Sequence, residues 1–358
     1  MLLKNKKLKK EKKGFLKEKI NQIKITEKTN LANLLEEYKG ASIQARNLGL
    51  CADVLERMLK DKERPTILLG LAGPLIAAGL RAVIAGIIKH NLVDVIVSTG
   101  AILYQDVYQA RGFQHYKGSA KADDKKLADL YINRIYDTYI DEEKFWQTDC
   151  AIGRFTDSLE PRQYSSREYL ELMGKQFVKD PHSIVRLAAL KGIPVFSPAL
   201  NDSSIGIGLT EHYHRAKKDG RQQLSIDSVR DNYELAQIVA KSKATAAIYI
   251  AGGVPKNYIN DAVVMTYIFD IKEMHKHGHK YAVQVTTDAP HWGGLSGSTL
   301  QEAMSWGKIS KQATTAMAFI EPSVSLPILY GYALQKNLHK GRRSKCFKWN
   351  KDILEEIA

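Results

Sequence analysis

The chain has 358 residues and a formal net charge of +14, with 44% hydrophobic and 26% charged residues. This balance is typical of an ordinary soluble globular protein. The most apolar segment, 66–88, contains Pro74, Arg81 and several glycines, which excludes a membrane span and predicts a buried strand, a turn and a helix. Three widely separated cysteines and the absence of a secretory signal predict a reducing, cytoplasmic location, and the sequence predicts no metal site.

The positive charge is concentrated at the amino terminus. Residues 1–24 hold ten lysines and two glutamates, which is +8 of the total +14 and leaves +6 for the rest. We predict that residues 1–30 form a basic N-terminal arm, a solvated helical segment ahead of a catalytic domain that spans 31–358. Contact of the arm with nucleic acid or an anionic membrane is the alternative, although nothing elsewhere resembles a nucleic-acid module.

The remaining chain alternates between strand and helix patterns. Apolar spacing predicts helices over 31–64 with a break at Gly40, and residues 114–185 are polar, aromatic and less regular. Short apolar runs predict strands at 66–70, 93–99, 193–200, 244–253, 280–287 and 313–320. Helical patterns such as 231–243 and 257–278 separate them. This alternation predicts parallel βαβ units, in which ligands bind beyond the carboxyl ends of the strands.

Three glycine-containing segments follow predicted strands. They are "GLAGPLIAAG" (70–79), "DSSIGIGLTE" (202–211) and "AGGVPKN" (251–257). Glycine at a strand-to-helix turn lets the backbone approach phosphates, although it more often serves turn geometry alone. No segment is a complete G-x-G-x-x-G motif, but three together favour a dinucleotide site. Asp202 is a candidate to bind ribose hydroxyls, because a carboxylate accepts both hydrogen bonds of a diol.

Residues 284–308, "QVTTDAPHWGGLSGSTLQEAMSWGK", are the most informative part of the chain. A strand end with Thr287 and Asp288 leads through a Gly/Ser loop to a short helix that holds Glu302 and Trp306, four residues apart on one face. Lys308 follows, where the helix ends near Gly307. A lysine attacks a carbonyl or imine only as the neutral amine, which burial or a nearby cation favours. The alternative is a lysine that reaches from an apolar face into water.

Several motifs occur together in the order found in one family. "HNLVDVIVSTGA", "PALNDSSIG", "AGGVPKNYI" and "SWGKIS" resemble the deoxyhypusine synthases over roughly residues 60–350. The combination "PKNYI" with "TTDAPHWGGLSGSTL" resembles the bacterial branch called deoxyhypusine synthase-like proteins. The resemblance implies an α/β fold with a Rossmann-like parallel sheet and helices on both faces, assembled as a homotetramer with NAD at subunit interfaces.

The resemblance also implies a reaction. Such enzymes oxidise spermidine with NAD to an imine, move the aminobutyl group to an active-site lysine and release 1,3-diaminopropane. The group then passes to an acceptor amine and the hydride returns. The acceptor is a lysine of a translation factor in typical members and putrescine in the homospermidine synthases of the family.

Carried over by position, the resemblance names two groups of residues. The catalytic and channel-lining candidates are Lys308 as the imine-forming amine, Glu302, Trp306, Tyr258 (where typical members have a proton-relaying histidine) and His291, with Trp292 beside it for cation–π contact. The cofactor-binding candidates are Gly73, Ala77, Thr99, Gly100, Asp202, Gly253, Thr287, Asp288 and Glu321.

Several acids of typical members are missing, and their positions hold Tyr104, Gln105, Ile207 and Leu295. The carboxylates left to bind a polyamine cation are Glu302, Asp288, Asp106 and Asp261. Because members of the bacterial branch commonly occur without the hypusine-bearing factor, the sequence favours a small acceptor amine such as putrescine, giving homospermidine. The alternatives are a true deoxyhypusine synthase that modifies a protein lysine, and a non-catalytic NAD-binding homologue.

Overall fold

The structure is a computed structural model that describes residues 5–269 and 278–358. The described strands are β1 (Thr66–Leu71), β2 (Val95–Ser98), β3 (His115–Lys117), β4 (Ile132–Ile135), β5 (Thr138–Asp141), β6 (Gln163–Tyr164), β7 (Val195–Phe196), β8 (Ser225–Ile226), β9 (Thr245–Ile250), β10 (His279–Val285), β11 (Ile309–Ala318), β12 (Phe347–Asn350) and β13 (Ile353–Ile357). Six of them form a central sheet in the order β11-β10-β9-β1-β2-β7, and all neighbours are parallel.

Helices cover the sheet and connect its strands. The described α-helices are α1 (Lys6–Phe15), α2 (Leu31–Lys39), α3 (Ile43–Lys60), α4 (Arg81–Lys89), α5 (Gly100–Ala110), α6 (Asp124–Asp129), α7 (Glu142–Asp157), α8 (Ser166–Leu172), α9 (Ile184–Lys191), α10 (Ser204–Lys218), α11 (Ser228–Lys241), α12 (Gly253–Ile268), α13 (Leu300–Ser305) and α14 (Pro322–Gln335). A π-helical turn follows α8 at Met173–Phe177, and a 3-10 turn spans Pro290–Trp292.

The hydrophobic core lies on both faces of the sheet. Ile67 and Leu69 of β1 belong to a buried cluster with α2, α3, α4 and α14, whereas Leu68 belongs to a second cluster with α11, α12 and α13. Successive side chains of a strand point to opposite faces, so the uninterrupted apolar run of β1 serves both clusters. This arrangement confirms the predicted α/β fold with a parallel sheet and helices on both faces.

Three predicted elements differ in extent. The strand expected over 193–200 pairs with β2 only through Val195 and Phe196. Pro194 lacks a backbone N–H to donate, and Ser197 N donates to Ser166 Oγ at 2.7 Å instead of to a strand. The segment after β1 does not open a helix at once: turns extend to Leu80 and α4 begins at Arg81. The helix predicted over 257–278 corresponds to α12, which begins earlier, at Gly253, and ends at Ile268. Residues 270–277 of the predicted range lie outside the described residues.

The segment 114–185, which is predicted to be less regular, contains a small antiparallel sheet in the order β3-β5-β4, helices α6 to α8 and the start of α9. A carboxyl-terminal hairpin, β12 with β13, packs against α11. Helix α1 of the basic arm buries none of its residues. Among the residues that the structure describes, no helix combines the length and apolar character that a membrane span needs.

Candidate active site

The carboxyl ends of the central strands meet at one edge, where the backbone pairing continues past the strands. Ala72 N donates to Ile250 O at 3.1 Å, Thr99 N to Leu71 O at 3.1 Å and Ala251 N to Val285 O at 2.8 Å. Thr286 N extends the series by donating to Ala318 O at 3.1 Å. The predicted cofactor-binding residues that follow β1, β2, β9, β10 and β11 therefore share one edge of the sheet.

The start of α5 and the start of α10 lie against each other at this edge. A Cβ added to Gly100 would approach Ser203 Oγ to 2.4 Å, so only glycine permits this contact. Thr99 precedes α5 but its side chain does not cap the helix, which leaves the first-turn N–H groups without that acceptor. Asp202, directly before the α10 cap residue, is exposed. An uncapped helix start suits a phosphate, and an exposed carboxylate suits a ribose diol.

Other cofactor candidates have structural partners. Ala77 N donates to the buried Gln105 side chain at 3.1 Å, so the turn after Gly73 is held by one of the residues that replace acids of typical members. Glu321 caps α14 by accepting from Ser323 N at 2.8 Å. Gly253 N donates to Ser296 Oγ at 2.9 Å, and Asp288 N donates to Thr286 Oγ1 at 3.2 Å, while Thr287 is exposed.

The backbone of Lys308 lies at the amino-terminal end of the central strands, and its side chain extends along the face of the sheet. Its carbonyl accepts from His279 N, the first residue of β10, at 3.0 Å. Helix α13 ends at Ser305, and Gly307 adopts a φ of +70°, which turns the chain towards β11. The Lys308 side chain is 16% exposed and lies between α12 and α13. Its amine thus sits on the helix-covered face below the strand ends.

Two residues of α12 contact that amine. Lys308 Nζ lies 3.0 Å from Asp261 Oδ1 and 3.4 Å from Asn257 Oδ1. Asn257 and Asp261 are four residues apart and share a helix face, where Asn257 Nδ2 donates to Asp261 Oδ2 at 2.7 Å. Lys308 Nζ also lies 5.5 Å from the centre of the Trp306 ring. The predicted nucleophile therefore has a carboxylate, an amide and an aromatic ring around it.

Tyr258, which the sequence placed in a proton-relay role, faces another neighbour. Its hydroxyl donates to Ser228 O of α11 at 2.8 Å, and burial, with Asp231 next in weight, raises the pKa of Tyr258 above its usual range. One residue along a helix rotates the side chain by about 100°. The side chain of α12 that contacts Lys308 at this level is Asn257, which the sequence did not single out.

A second lysine, Lys256, is buried beside the site and was also missed from sequence. It is 1% exposed, and its Nζ donates to Leu295 O at 3.1 Å, Ser298 O at 2.6 Å and Ser298 Oγ at 3.0 Å. Burial lowers the pKa of Lys256 to about 8; Glu302 opposes this shift and Lys308 adds to it. All three ammonium donors are used, so Lys256 fixes the Gly/Ser loop that leads to α13.

The comparison with family models and the comparison with relatives identify the same family. The family model described as deoxyhypusine synthase matches residues 33–333. A deoxyhypusine synthase-like protein from Chlorobaculum tepidum is 45% identical over 342 residues, covering 94% of this chain and 95% of its own. The "Probable deoxyhypusine synthase 2" of Methanosarcina mazei is 40% identical over 332 residues, covering 92% and 94%.

The chain belongs to the deoxyhypusine synthase family. A solved structure described as a candidate deoxyhypusine synthase from Entamoeba histolytica aligns with a TM-score of 0.58 at 19% identity over 86% of this chain and 94% of its own, which supports the fold. Members of the family are transferases, and their common reaction transfers the aminobutyl group of spermidine; this chain is a transferase of that family.

The residues of this chain at the missing acid positions have other surroundings. Tyr104 is buried and its hydroxyl donates to Phe145 O at 3.0 Å. Ile207 is 55% exposed on α10, and Leu295 contributes its carbonyl to Lys256. Asp106, one of the acids proposed to bind a polyamine, is fully buried and paired with Arg81 Nε at 2.7 Å, so it is not available to a substrate.

The remaining channel candidates are exposed. Glu302 lies in the first turn of α13, and Trp306, the residue after the helix, is 67% exposed. His291 and Trp292 occupy the exposed 3-10 turn, with ring centres 4.5 Å apart. In this arrangement Asp261 is the acid in direct contact with Lys308, and Glu302 of α13 acts electrostatically on the neighbouring Lys256.

Proposed function

We propose that this protein is an NAD-dependent transferase that moves the 4-aminobutyl group of spermidine, through an imine on Lys308, to a small acceptor amine such as putrescine, forming homospermidine. The observation that carries the proposal is the half-buried Lys308 amine, 3.0 Å from Asp261 and beside the exposed Trp306. An amine within hydrogen-bond reach of a carboxylate has an adjacent base, which is one way in which proteins activate a nucleophile.

The proposed NAD site lies at the edge where the central strands end. Asp202 would bind a ribose, and the starts of α5 and α12 would bind phosphates. The other residues that would line the site are Gly73, Ala77, Thr287, Asp288 and Glu321. The exposed Asp202 and the uncapped α5 start support this fit. When bound, NAD supplies the hydride acceptor for oxidising the spermidine carbon next to the secondary amine. Asn257 lies four residues into α12, about 6 Å along the axis from its start, so the Lys308 amine lies near this edge.

The chain's own residues would bind and orient the polyamine. Trp306 and Trp292 offer exposed aromatic faces to an ammonium, and Glu302 offers a carboxylate. Lys308 forms the covalent bond, and His291 is a further candidate for proton transfer. The small acceptor is proposed on the resemblance to the bacterial branch, whose members commonly occur without the hypusine-bearing factor. We further propose a cytoplasmic homotetramer, on the family resemblance alone.

The test is an incubation with NAD, spermidine and putrescine, followed by chromatography of the products. We expect 1,3-diaminopropane and homospermidine in equal amounts. If a hypusine-type translation factor, added instead of putrescine, is the only acceptor that is modified, the small-amine assignment is wrong. Absence of both products contradicts the transferase proposal.

A non-catalytic NAD-binding homologue is the second candidate, and the acid positions now occupied by Tyr104, Gln105, Ile207 and Leu295 favour it. It predicts NAD binding without a spermidine-dependent rise in NADH absorbance. Detection of that rise would reject this candidate.

A further inference from the structure

We propose that Asp261 is the general base and acid that serves Lys308, and that Asn257 is the residue that positions it. This inference rests on the proposed function and names its proton acceptor. A nucleophile within hydrogen-bond reach of a base, which a third group orients, is the usual arrangement for nucleophilic catalysis. Here Lys308 Nζ lies 3.0 Å from Asp261 Oδ1, and Asp261 Oδ2 accepts from Asn257 Nδ2 at 2.7 Å.

The orientation of Asn257 is fixed by both of its neighbours. A carboxylate oxygen requires a donor and an ammonium requires an acceptor, so the amide nitrogen faces Asp261 and the amide oxygen faces Lys308 at 3.4 Å. The Asp261 side chain is 39% exposed, whereas that of Lys308 is 16% exposed. The hydrogen bond from Asn257 therefore fixes the orientation of the Asp261 carboxylate, and the solvent-exposed side of the carboxylate remains accessible to an incoming amine.

Other ionisable groups that face Lys308 are less suited to take its proton. Lys256 on α12 donates all three of its protons to loop oxygens. At the start of β10, His279 is fully buried with Nδ1 bonded to Thr245 Oγ1 at 2.8 Å, and burial lowers the pKa of His279 to about 4. Glu302 of α13 interacts electrostatically with Lys256, whereas the direct contact with Lys308 Nζ is made by Asp261.

The proposed step balances in atoms and charge. The Asp261 carboxylate takes one proton from the Lys308 ammonium, and the freed lone pair forms a bond to the carbon of the protonated imine that oxidation of spermidine supplies. The departing nitrogen then takes two protons by way of Asp261, the one already held there and a second one from the Lys308 nitrogen of the adduct. The bond from the carbon to the departing nitrogen breaks, so 1,3-diaminopropane leaves with an ammonium at that end, Lys308 keeps a protonated imine, and Asp261 is a carboxylate again. The imine is now on Lys308, and nothing has been oxidised or reduced in the exchange.

One experiment examines the pair without NAD or spermidine. Butyraldehyde and cyanoborohydride alkylate Lys308 only when its amine is unprotonated. Peptide mass spectrometry across a pH series therefore gives the pH at which alkylation of Lys308 is half-maximal, which is the midpoint. In Asp261→Asn this midpoint should move towards acid by about half a pH unit or more, because the ammonium loses its carboxylate. Asp129→Asn, which changes an exposed and distant carboxylate, should leave it in place. An unmoved midpoint in Asp261→Asn would overturn the proposal.

The transfer reaction gives a readout that is specific for a base. Asp261→Ala should lose turnover on the order of 100-fold, and added formate should restore part of it by occupying the vacated place. Failure of formate to restore any turnover contradicts the base role. If the unaltered protein makes neither product, the proposed function fails, and the aldehyde midpoint alone decides on the Lys308–Asp261 pair.

Asn257 has its own signature as a positioning residue. In Asn257→Ala the kcat should fall about tenfold while the KM for spermidine changes less than about twofold, because Asp261 loses its orientation and keeps its charge. A kcat equal to that of the unaltered protein would exclude this role for Asn257.

Discussion

Two neighbouring lysines of the site have opposite surroundings. Lys256 directs its ammonium at three uncharged oxygens and is 1% exposed, whereas the Lys308 amine faces a carboxylate that water also reaches. An ammonium whose three donors are all used cannot attack a substrate without breaking the loop that it holds. This difference, which composition cannot reveal, separates the nucleophile from the structural lysine.

Asp231, a buried residue of α11, makes a testable contribution to stability. It is fully buried; Oδ1 accepts from Ser166 N at 2.8 Å, while Oδ2 has no partner among the described atoms. Burial raises the pKa of Asp231 from 3.8 to about 7. Between these two values the folded state holds a proton that the unfolded state lacks, so the free energy of unfolding falls as the pH rises through this window.

In Asp231→Asn this pH dependence should disappear, because the amide cannot ionise and its nitrogen takes the place of the unpartnered oxygen. The free energy of unfolding, measured with urea, should fall between pH 5 and pH 8 in the unaltered protein. This fall should exceed that of the variant by on the order of 2 kcal/mol. Asp129→Asn serves as the control with an exposed carboxylate. Equal losses in the unaltered protein and Asp231→Asn would disprove the assignment.

At the level of elements, the loop between β10 and α13 determines where Lys308 lies. Besides Lys256, it is held by Gln284 Nε2, which donates to Ser296 O at 2.8 Å, and by Gly253 N, which donates to Ser296 Oγ. A Cβ on Gly252 would approach Ser296 Cα to 2.5 Å, so the contact requires glycine at this position. The starts of α12 and α13 are thereby tied together, and Lys308 follows α13 directly.

Lys256→Met should release this loop while keeping the length of the side chain. The carbonyls of Leu295 and Ser298 lose their donor, which should cost about 1–3 kcal/mol in the free energy of unfolding. Hydrogen exchange of peptides covering 293–305 should become faster, and it should stay unchanged in Lys62→Met, which alters an exposed lysine. Unchanged exchange in Lys256→Met would show that the loop does not depend on this ammonium.

The central strands could be predicted because their apolar runs are local signals. β1 and β9 lie within one to three residues of the predicted bounds, whereas Pro194 and the hydrogen bond from Ser197 N to Ser166 Oγ shorten β7. The Lys308 region was predicted from its own short segment. Asn257 and Lys256 were missed because their importance depends on residues 39 to 51 positions away in the chain, which helix and strand patterns do not register.

At the level of the whole molecule, the parallel sheet brings the predicted cofactor residues to one edge and leaves Lys308 on the adjoining face. Two exposed aromatic side chains flank the Gly/Ser loop: Trp306, beside Lys308, is 67% exposed, and Trp292, in the 3-10 turn after β10, is 76% exposed. They fit a polyamine or a neighbouring subunit, in line with the homotetramer that remains a prediction. The division into a basic arm, 1–30, and a catalytic domain, 31–358, and the role of the arm, also remain predictions.

The central claim is that Lys308 carries the aminobutyl group. Its most direct test is borohydride reduction during turnover with NAD and spermidine, followed by peptide mapping of the segment around residue 308. We predict an added aminobutyl mass on Lys308 that depends on both NAD and spermidine and is absent from Lys308→Arg. Formation of product with an unmodified Lys308 peptide would contradict the account.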